Sequence, residues 1–245
     1  MKLAVKQPYF LPYLGCFQTI AAVDKYLLYD NVAFIKKGWI NRNRILVQNV
    51  GPVFITVPLK SQSSFALIKN TYIDNSQPWR KKVLDLIFYN YKKAPYFESV
   101  YSIVESCIND DNECITDFNC NALNLVSHFL DINTKVEVGR GDEYDSLENS
   151  LSQYIDTDKR KHDRVIGICK INNASDYFDS IGAIDLYSKD ICAAKGVKLH
   201  FLKMNDDVAY KQLSKEYFQG LSIVDVLMNN GKEGTKTMLN MYSEI

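Results

Sequence analysis

Histidine is scarce and cysteine is scattered, with three of the one and six of the other among 245 residues. No two of them stand at the spacing zinc ligands need, so we expect no metal centre and no resident cofactor. The cysteines, at 16, 107, 114, 120, 169 and 192, include no C-x-x-C pair, and they read as free thiols in a reducing compartment rather than as a disulfide framework. Net charge is absent too. Lys plus Arg and Asp plus Glu number 29 each, which removes the whole-molecule field that drives non-specific binding to nucleic acid or anionic membranes. No apolar run nears the roughly 20 residues of a spanning helix. The chain opens on the strand-like LAVKQPYF with no cleavable hydrophobic leader. The expectation is a cytoplasmic protein with no stable membrane insertion and no nucleic-acid partner. The sequence also lacks G-x-S-x-G, a Walker loop, G-x-G-x-x-G and H-E-x-x-H, so the corresponding nucleophile, phosphate-loop, dinucleotide and zinc-protease chemistries have no support.

What is present is ordinary globular material, 47% hydrophobic and 24% charged, enough for one full core over residues 1–245. Leu3-Ala4-Val5 reads as a strand, Leu14 to Val23 has helical apolar spacing after Pro8 and Pro12, and Tyr26 to Tyr29 reads as a second strand ending at Asp30. This βαβ opening favours parallel pairing. Arg44 to Gln48 and Val53 to Pro58 flank a turn signal and form a candidate hairpin. These elements make residues 1–76 an α/β part that bears the site. Residues 77–135 are a helical part, with Trp79 to Tyr91, Tyr96 to Ile108 and Ile115 to Leu130 as its helices, and residues 136–245 a C-terminal α/β part. Within the last, Gly139 to Ser152 reads as loop, the DKRKHDR run from Asp158 as a solvated face, and Tyr177 to Gly182 as a tyrosine-rich turn. A helix around Tyr187 to Lys195, a strand from Val197 to Leu202 and a helix begun by Ser222 complete it. His162 is expected to be exposed, His128 and His200 to be satisfied core residues. The fold class is therefore α/β, packed as one globular domain.

Two segments could carry chemistry. The loop QPYFLPYLG follows the first strand, and ligands of open α/β sheets bind beyond the carboxyl ends of strands. Gln7 can donate and accept, Tyr9 and Tyr13 offer flat faces with hydroxyls, and Gly15 allows close backbone approach. A rigid structural turn explains the same residues equally well. The segment KKGWINRNR packs Trp39, Asn41, Arg42, Asn43 and Arg44 into one arm. Arginine forks bind phosphate or carboxylate and an indole stacks on a sugar or base, although a solvated cationic hairpin needs no ligand. If the arm is a strand, Asn41 and Asn43 face one side and Arg42 and Arg44 the other. Cys16 lies near a helix start, but the reading of it as a small buried residue is the stronger. Asp225 sits on an apolar helix face, where a carboxylate must be paired. Arg42 or Arg44 is the expected partner, and a structural and a catalytic role weigh equally.

Taken in order, QPYFLPYLGCFQTI, Asp24 and Asp30, KKGWINRNRI, KAPYF, Tyr177 with IGAIDLY, GVKLHFL, Tyr210-Lys211-Gln212 and LSIVDVLMNNG resemble the WbqC-like family across nearly the whole chain. The chain departs from the family pattern at Lys6, where relatives carry histidine or serine, so no general-base role is assigned to that position. The resemblance implies cytoplasmic work on sugars, in the setting of O-antigen and other surface polysaccharides. Amide formation on an amino sugar from a thioester needs a base and a donor to the carbonyl oxygen, and no metal. The expectation is an acyl- or aminoacyltransferase that modifies the amino group of a nucleotide-linked amino sugar, with an acyl or aminoacyl thioester, carried on an acyl-carrier protein, as donor. Asp30 and Asp225 are the expected catalytic carboxylates. Gln7, Tyr9, Tyr13, Trp39, Asn41, Arg42, Asn43, Arg44 and Tyr177 are the expected binding residues, with Gln7, Tyr9, Asp30, Asn41 and Arg42 meeting in one cavity. A nucleotide- or sugar-binding accessory protein without catalysis is the alternative. A nucleotidylyltransferase would need an H-x-G-H motif that is missing, and a thiol hydrolase a histidine beside Cys16.

Overall fold

Strands rich in Leu, Val, Tyr and Phe alternate with amphipathic helices along this chain, and each strand must bury both faces once helices cover the sheet. A computed structural model describes residues 1–61 and 63–245. Its main sheet has six strands: β1 (Lys2–Lys6), β2 (Lys25–Leu28), β5 (Lys135–Val138), β6 (Asp176–Ser180), β7 (Lys198–Met204) and β8 (Tyr242–Glu244). The spatial order is β5-β2-β1-β6-β7-β8, with all pairs parallel except the last. A separate antiparallel hairpin joins β3 (Arg42–Val47) to β4 (Gly51–Thr56). The helices are α1 (Leu14–Ala22), α2 (Trp79–Tyr91), α3 (Phe97–Ile108), α4 (Ile115–Phe129), α5 (Asp142–Leu151), α6 (Thr157–Ile171), α7 (Lys189–Ala193) and α8 (Ile223–Leu239). The mixed α/β class, the parallel βαβ opening, the hairpin and the three middle helices follow the pattern of the sequence.

Period-two alternation divides the sheet's side chains between two cores. Ala4, Tyr26, Leu28 and Phe178 pack with α1, α4, α8 and the hairpin. Leu3, Leu27, Tyr177, Leu199 and Phe201 pack with α5 and α6 on the other face. After β1 the chain steps to β2 and later β5 on one side, then returns to place β6 and β7 on the other. The carboxyl ends of β1 and β6 therefore border a crevice at the point where strand order reverses.

Several expectations are corrected. Gly139 to Ser152 is not a loop: residues from Asp142 form α5. Its acidic residues Asp142, Glu143 and Asp145 occupy the first turn, where they complement the positive end of the helix dipole, while Tyr144, Leu147 and Leu151 share the inner face. Asp158 to Arg164, a charged helix face as expected, is continuous with the apolar turns from Val165 to Ile171 and forms the first two turns of α6, capped by the Asp156 carboxylate. Tyr177 to Gly182 is no turn, since its first residues belong to the central strand β6, whose polar members Asp176 and Asp179 are each held by a cation or ring. His162 is buried, donating from Nδ1 to Asp158 O and accepting from Ser188 N, at 2.8 Å each. His128 is exposed rather than in the core. His200 is buried as expected, stacked on Phe178 and flanked by Asp176 and Glu244.

The helix begun by Ser222, whose hydroxyl accepts from Val224 N, turns sharply at Gly231 and continues to Leu239. Gly231 takes φ 63 and ψ −166, a region open in practice only to glycine. A Cβ there would also sit 2.4 Å from the ring of Tyr96. Among the described residues, no helix is long and apolar enough to cross a membrane.

Candidate functional site

The loop between β1 and α1 is pinned from three directions. Asn43 Nδ2 donates to Phe10 O and Leu11 O, at 3.0 and 2.9 Å, Asn119 Nδ2 donates to Pro8 O at 2.8 Å, and Ser222 Oγ donates to Leu11 O at 2.7 Å. These bonds hold Leu11 at a positive φ of 38, a conformation that persists only when its surroundings impose it. The ring of Tyr13 folds back over Gly15 so closely that any Cβ there would lie 2.5 Å from it.

So fixed, the loop forms one wall of a cleft of about 210 Å³ lined by Tyr9, Pro12, Tyr13, Trp39, Asn43, Arg44 and Gly220. Trp39 is 40% exposed, and the Arg44 guanidinium lies 5.6 Å from its ring centre. Among the described residues, Arg44 reaches only the carbonyls of Gln219 and Gly220, at 3.3 and 3.4 Å, and its buried Nε has no partner. Among the described residues it has no ion pair. A guanidinium with unmet donors between aromatic walls is a receptor for a planar ligand that carries a negative group.

At the neighbouring crevice between β1 and β6, Lys6 Nζ donates to Asp179 Oδ1 and, at 3.0 Å, to Ser180 Oγ. Tyr177 OH donates to Asp179 Oδ2 at 2.8 Å, and Ser180 N to Oδ1 at 2.7 Å. The pair is nearly sealed, with side-chain exposures of 14% for Lys6 and 5% for Asp179. Its field reaches the cleft. Burial, with the nearby Cys16 and Asp179, pushes the Tyr9 hydroxyl up to about 12, and the same causes together with Tyr9 raise Tyr13. Burial also pushes the Cys16 thiol up to about 11, against the opposing influence of Lys6. Both tyrosines are therefore hydrogen-bond donors at neutral pH, and Cys16 is a protonated core residue rather than a nucleophile.

The expected site residues are only partly gathered. Tyr9, Tyr13, Trp39, Asn43 and Arg44 line the cleft. Gln7 is half-buried at the end of β1 and does not line it. Asn41 turns inward and donates to Val57 O at 2.8 Å. Arg42 lies over Phe54 and donates to Gly38 O at 3.1 Å and to Lys37 O, within the arm itself. Tyr177 is buried beneath Asp179. Asp30, fully buried, is held by Arg140 from the turn after β5, which donates to its Oδ2 from Nε at 3.1 Å and from NH2 at 2.8 Å and also reaches Asp117 of α4. The expected meeting of Gln7, Tyr9, Asp30, Asn41 and Arg42 in one cavity does not occur.

The expected pairing of Asp225 with Arg42 or Arg44 is also replaced. Its carboxylate accepts from Tyr91 OH and Tyr210 OH, each at 2.6 Å. Phenols satisfy it without bringing a second charge into the core. Sequence reasoning assigned no role to Lys6 and did not single out Asp179 or Ser180. Lys6 ends β1 and Asp179 lies one residue before the end of β6, and only the pairing of those strands brings the two charges together.

The WbqC-like protein family matches residues 7–237. The chain belongs to that family. This WbqC-like chain is 26% identical over 234 residues to the uncharacterized protein Rv1507c of Mycobacterium tuberculosis (strain ATCC 25618 / H37Rv), covering 95% of each. No solved structure matches it. Nearly all of the WbqC-like match lies in the described fold, including both walls of the cleft.

Proposed function

We propose that the protein is a cytoplasmic acyl- or aminoacyltransferase that modifies the amino group of a nucleotide-linked amino sugar destined for surface polysaccharide. The observation that carries this reading is the unpaired Arg44 guanidinium between Tyr9, Tyr13 and Trp39, one loop away from the Lys6–Asp179 pair. In it, Arg44 holds a phosphate of the nucleotide and the aromatic walls take the flat rings. Asp179, in place of Asp30 and Asp225, receives the proton of the sugar's ammonium. The free amine attacks the thioester carbonyl and the C–N bond forms; as the C–S bond breaks, the nitrogen's second proton passes to the departing thiolate, and Asp179 releases the first proton to solvent. Lys6 and the hydroxyls of Tyr9 and Tyr13 supply donors to the carbonyl oxygen.

Binding without transfer is the second reading. It is favoured by the hydrogen bonds that already occupy both oxygens of Asp179.

Mass spectrometry after incubation with nucleotide-linked 4-amino sugars and an acyl or aminoacyl thioester separates the two. The expected result is a product heavier by one acyl group, formed at least ~100-fold more slowly by Asp179→Asn because an amide cannot take the proton. A sugar that binds but gains no mass with any donor would leave the binding reading alone.

A further inference from the structure

A second cleft, of about 550 Å³, opens on the α5/α6 face of the sheet where the chain leaves β2. Asn31, Glu148, Thr157, Arg160, Lys161 and Arg164 line it. The only carboxylate in this set is already occupied: Glu148 accepts from Arg164 Nε and NH2 at 2.5 and 2.9 Å and from Tyr29 OH at 2.8 Å. Among the described residues, Lys161 meets only the exposed Asp158 on its own helix, at 3.2 Å. Arg160 forms no ion pair among the described residues, and its Nε is buried without an acceptor. A cleft with surplus positive charge and an unmet guanidinium donor suits an oxyanion, and the fork of arginine matches phosphate.

Its position relates it to the crevice. Tyr187 packs edge-on against Tyr177, the tyrosine that holds Asp179, with ring centres 5.9 Å apart. Burial pushes the Tyr187 hydroxyl up to about 12, with Asp179 adding to the rise and Arg164 opposing it. The aromatic cleft thus lies on the α1 face of the sheet, this cationic cleft on the α6 face, and the Lys6–Asp179 pair between them.

We propose that the cationic cleft binds the phosphate of the second substrate, a thioester donor of the phosphopantetheine type, with Arg160 as its principal ligand. This rests on the transferase reading given above. The arrangement lets acceptor and donor approach the crevice from opposite faces, and it gives a role to a charged run that otherwise looks like plain helix surface.

The test is calorimetric titration with coenzyme A, inorganic pyrophosphate and unphosphorylated pantetheine, on the wild type and on Arg160→Gln and Lys161→Gln, all checked for an unchanged melting curve. Coenzyme A and pyrophosphate are expected to bind at the same place, each about tenfold or more weaker in Arg160→Gln, with a smaller loss in Lys161→Gln. Pantetheine is expected to bind poorly to every variant. A nucleotide-linked sugar is expected not to displace pyrophosphate. Absence of pyrophosphate binding, equal binding by folded Arg160→Gln, or displacement by the nucleotide sugar would overturn the phosphate site. Pyrophosphate binding that depends on Arg160 without coenzyme A binding would overturn the donor assignment. If coenzyme A binds through Arg160 while no nucleotide sugar binds anywhere, the phosphate site stands and the acceptor reading falls.

Discussion

Asp225→Ala is expected to destabilise the protein by about 4 kcal/mol, because it leaves two buried tyrosine hydroxyls without an acceptor and opens a small cavity. Tyr91 also accepts from Leu46 N on the hairpin, at 2.9 Å, while Tyr210 comes from the segment that leads to α8. The carboxylate thus ties α2, the hairpin and the C-terminal helix at one point. Burial raises its pKa above the ordinary carboxylate value, although both tyrosine bonds oppose the shift. The folded state therefore holds this proton more tightly than the unfolded chain. The associated stability is present in full below the ordinary carboxylate range and is lost as pH rises through the raised folded value. Asp225→Asn keeps one acceptor, is expected to cost less than the alanine variant, and removes that pH dependence. Urea unfolding from pH 4 to 7 on the three proteins reads both effects. A steeper loss of stability with rising pH in Asp225→Asn than in the wild type would contradict this.

Asp179→Ala is expected to cost about 3–5 kcal/mol by stranding the Lys6 ammonium in a sealed crevice. The double variant Lys6→Met with Asp179→Leu removes both charges and is expected to be less destabilised than Asp179→Ala, losing about 1–3 kcal/mol because the Tyr177 hydroxyl and Ser180 N are left without their acceptor. It should nevertheless be inactive in transfer. The comparison separates folding from function: an active double variant would remove Lys6 and Asp179 from the chemistry, and a double variant as unstable as Asp179→Ala would show that the pair itself holds the fold.

Local signals in the sequence carried the first half of the fold well. Apolar spacing located α1 to α4, and alternating strands with proline-glycine punctuation located the opening βαβ unit and the hairpin. The second half was harder for physical reasons that individual residues make plain. Asp142, Glu143 and Asp145 are polar enough to suggest a loop, yet acidic side chains favour a helix start. Asp176 and Asp179 obscure a central strand because their partners, His200 and Lys6, come from distant segments. The site inherits the same limit. Tyr9, Tyr13, Trp39 and Arg44 were recognisable from residue type alone. That Arg44 and not Arg42 faces the cleft follows from contacts of Arg42 with Lys37, Gly38 and Phe54, which alternation cannot choose between. Lys6 and Asp179 became visible only when β6 was placed beside β1.

The most direct measurement of the central claim uses Trp39, one of two tryptophans in the chain and the one that lines the cleft. Its fluorescence is titrated with nucleotide-linked amino sugars in the wild type and in Arg44→Gln, with Trp39→Phe, in which only the buried Trp79 emits, as the control. The account calls for a saturable change in the wild type, absent from Trp39→Phe, and an affinity at least ~10-fold weaker in Arg44→Gln, the loss expected when a charge-assisted phosphate contact is removed. No saturable change, or equal affinity in the wild type and Arg44→Gln, would contradict it.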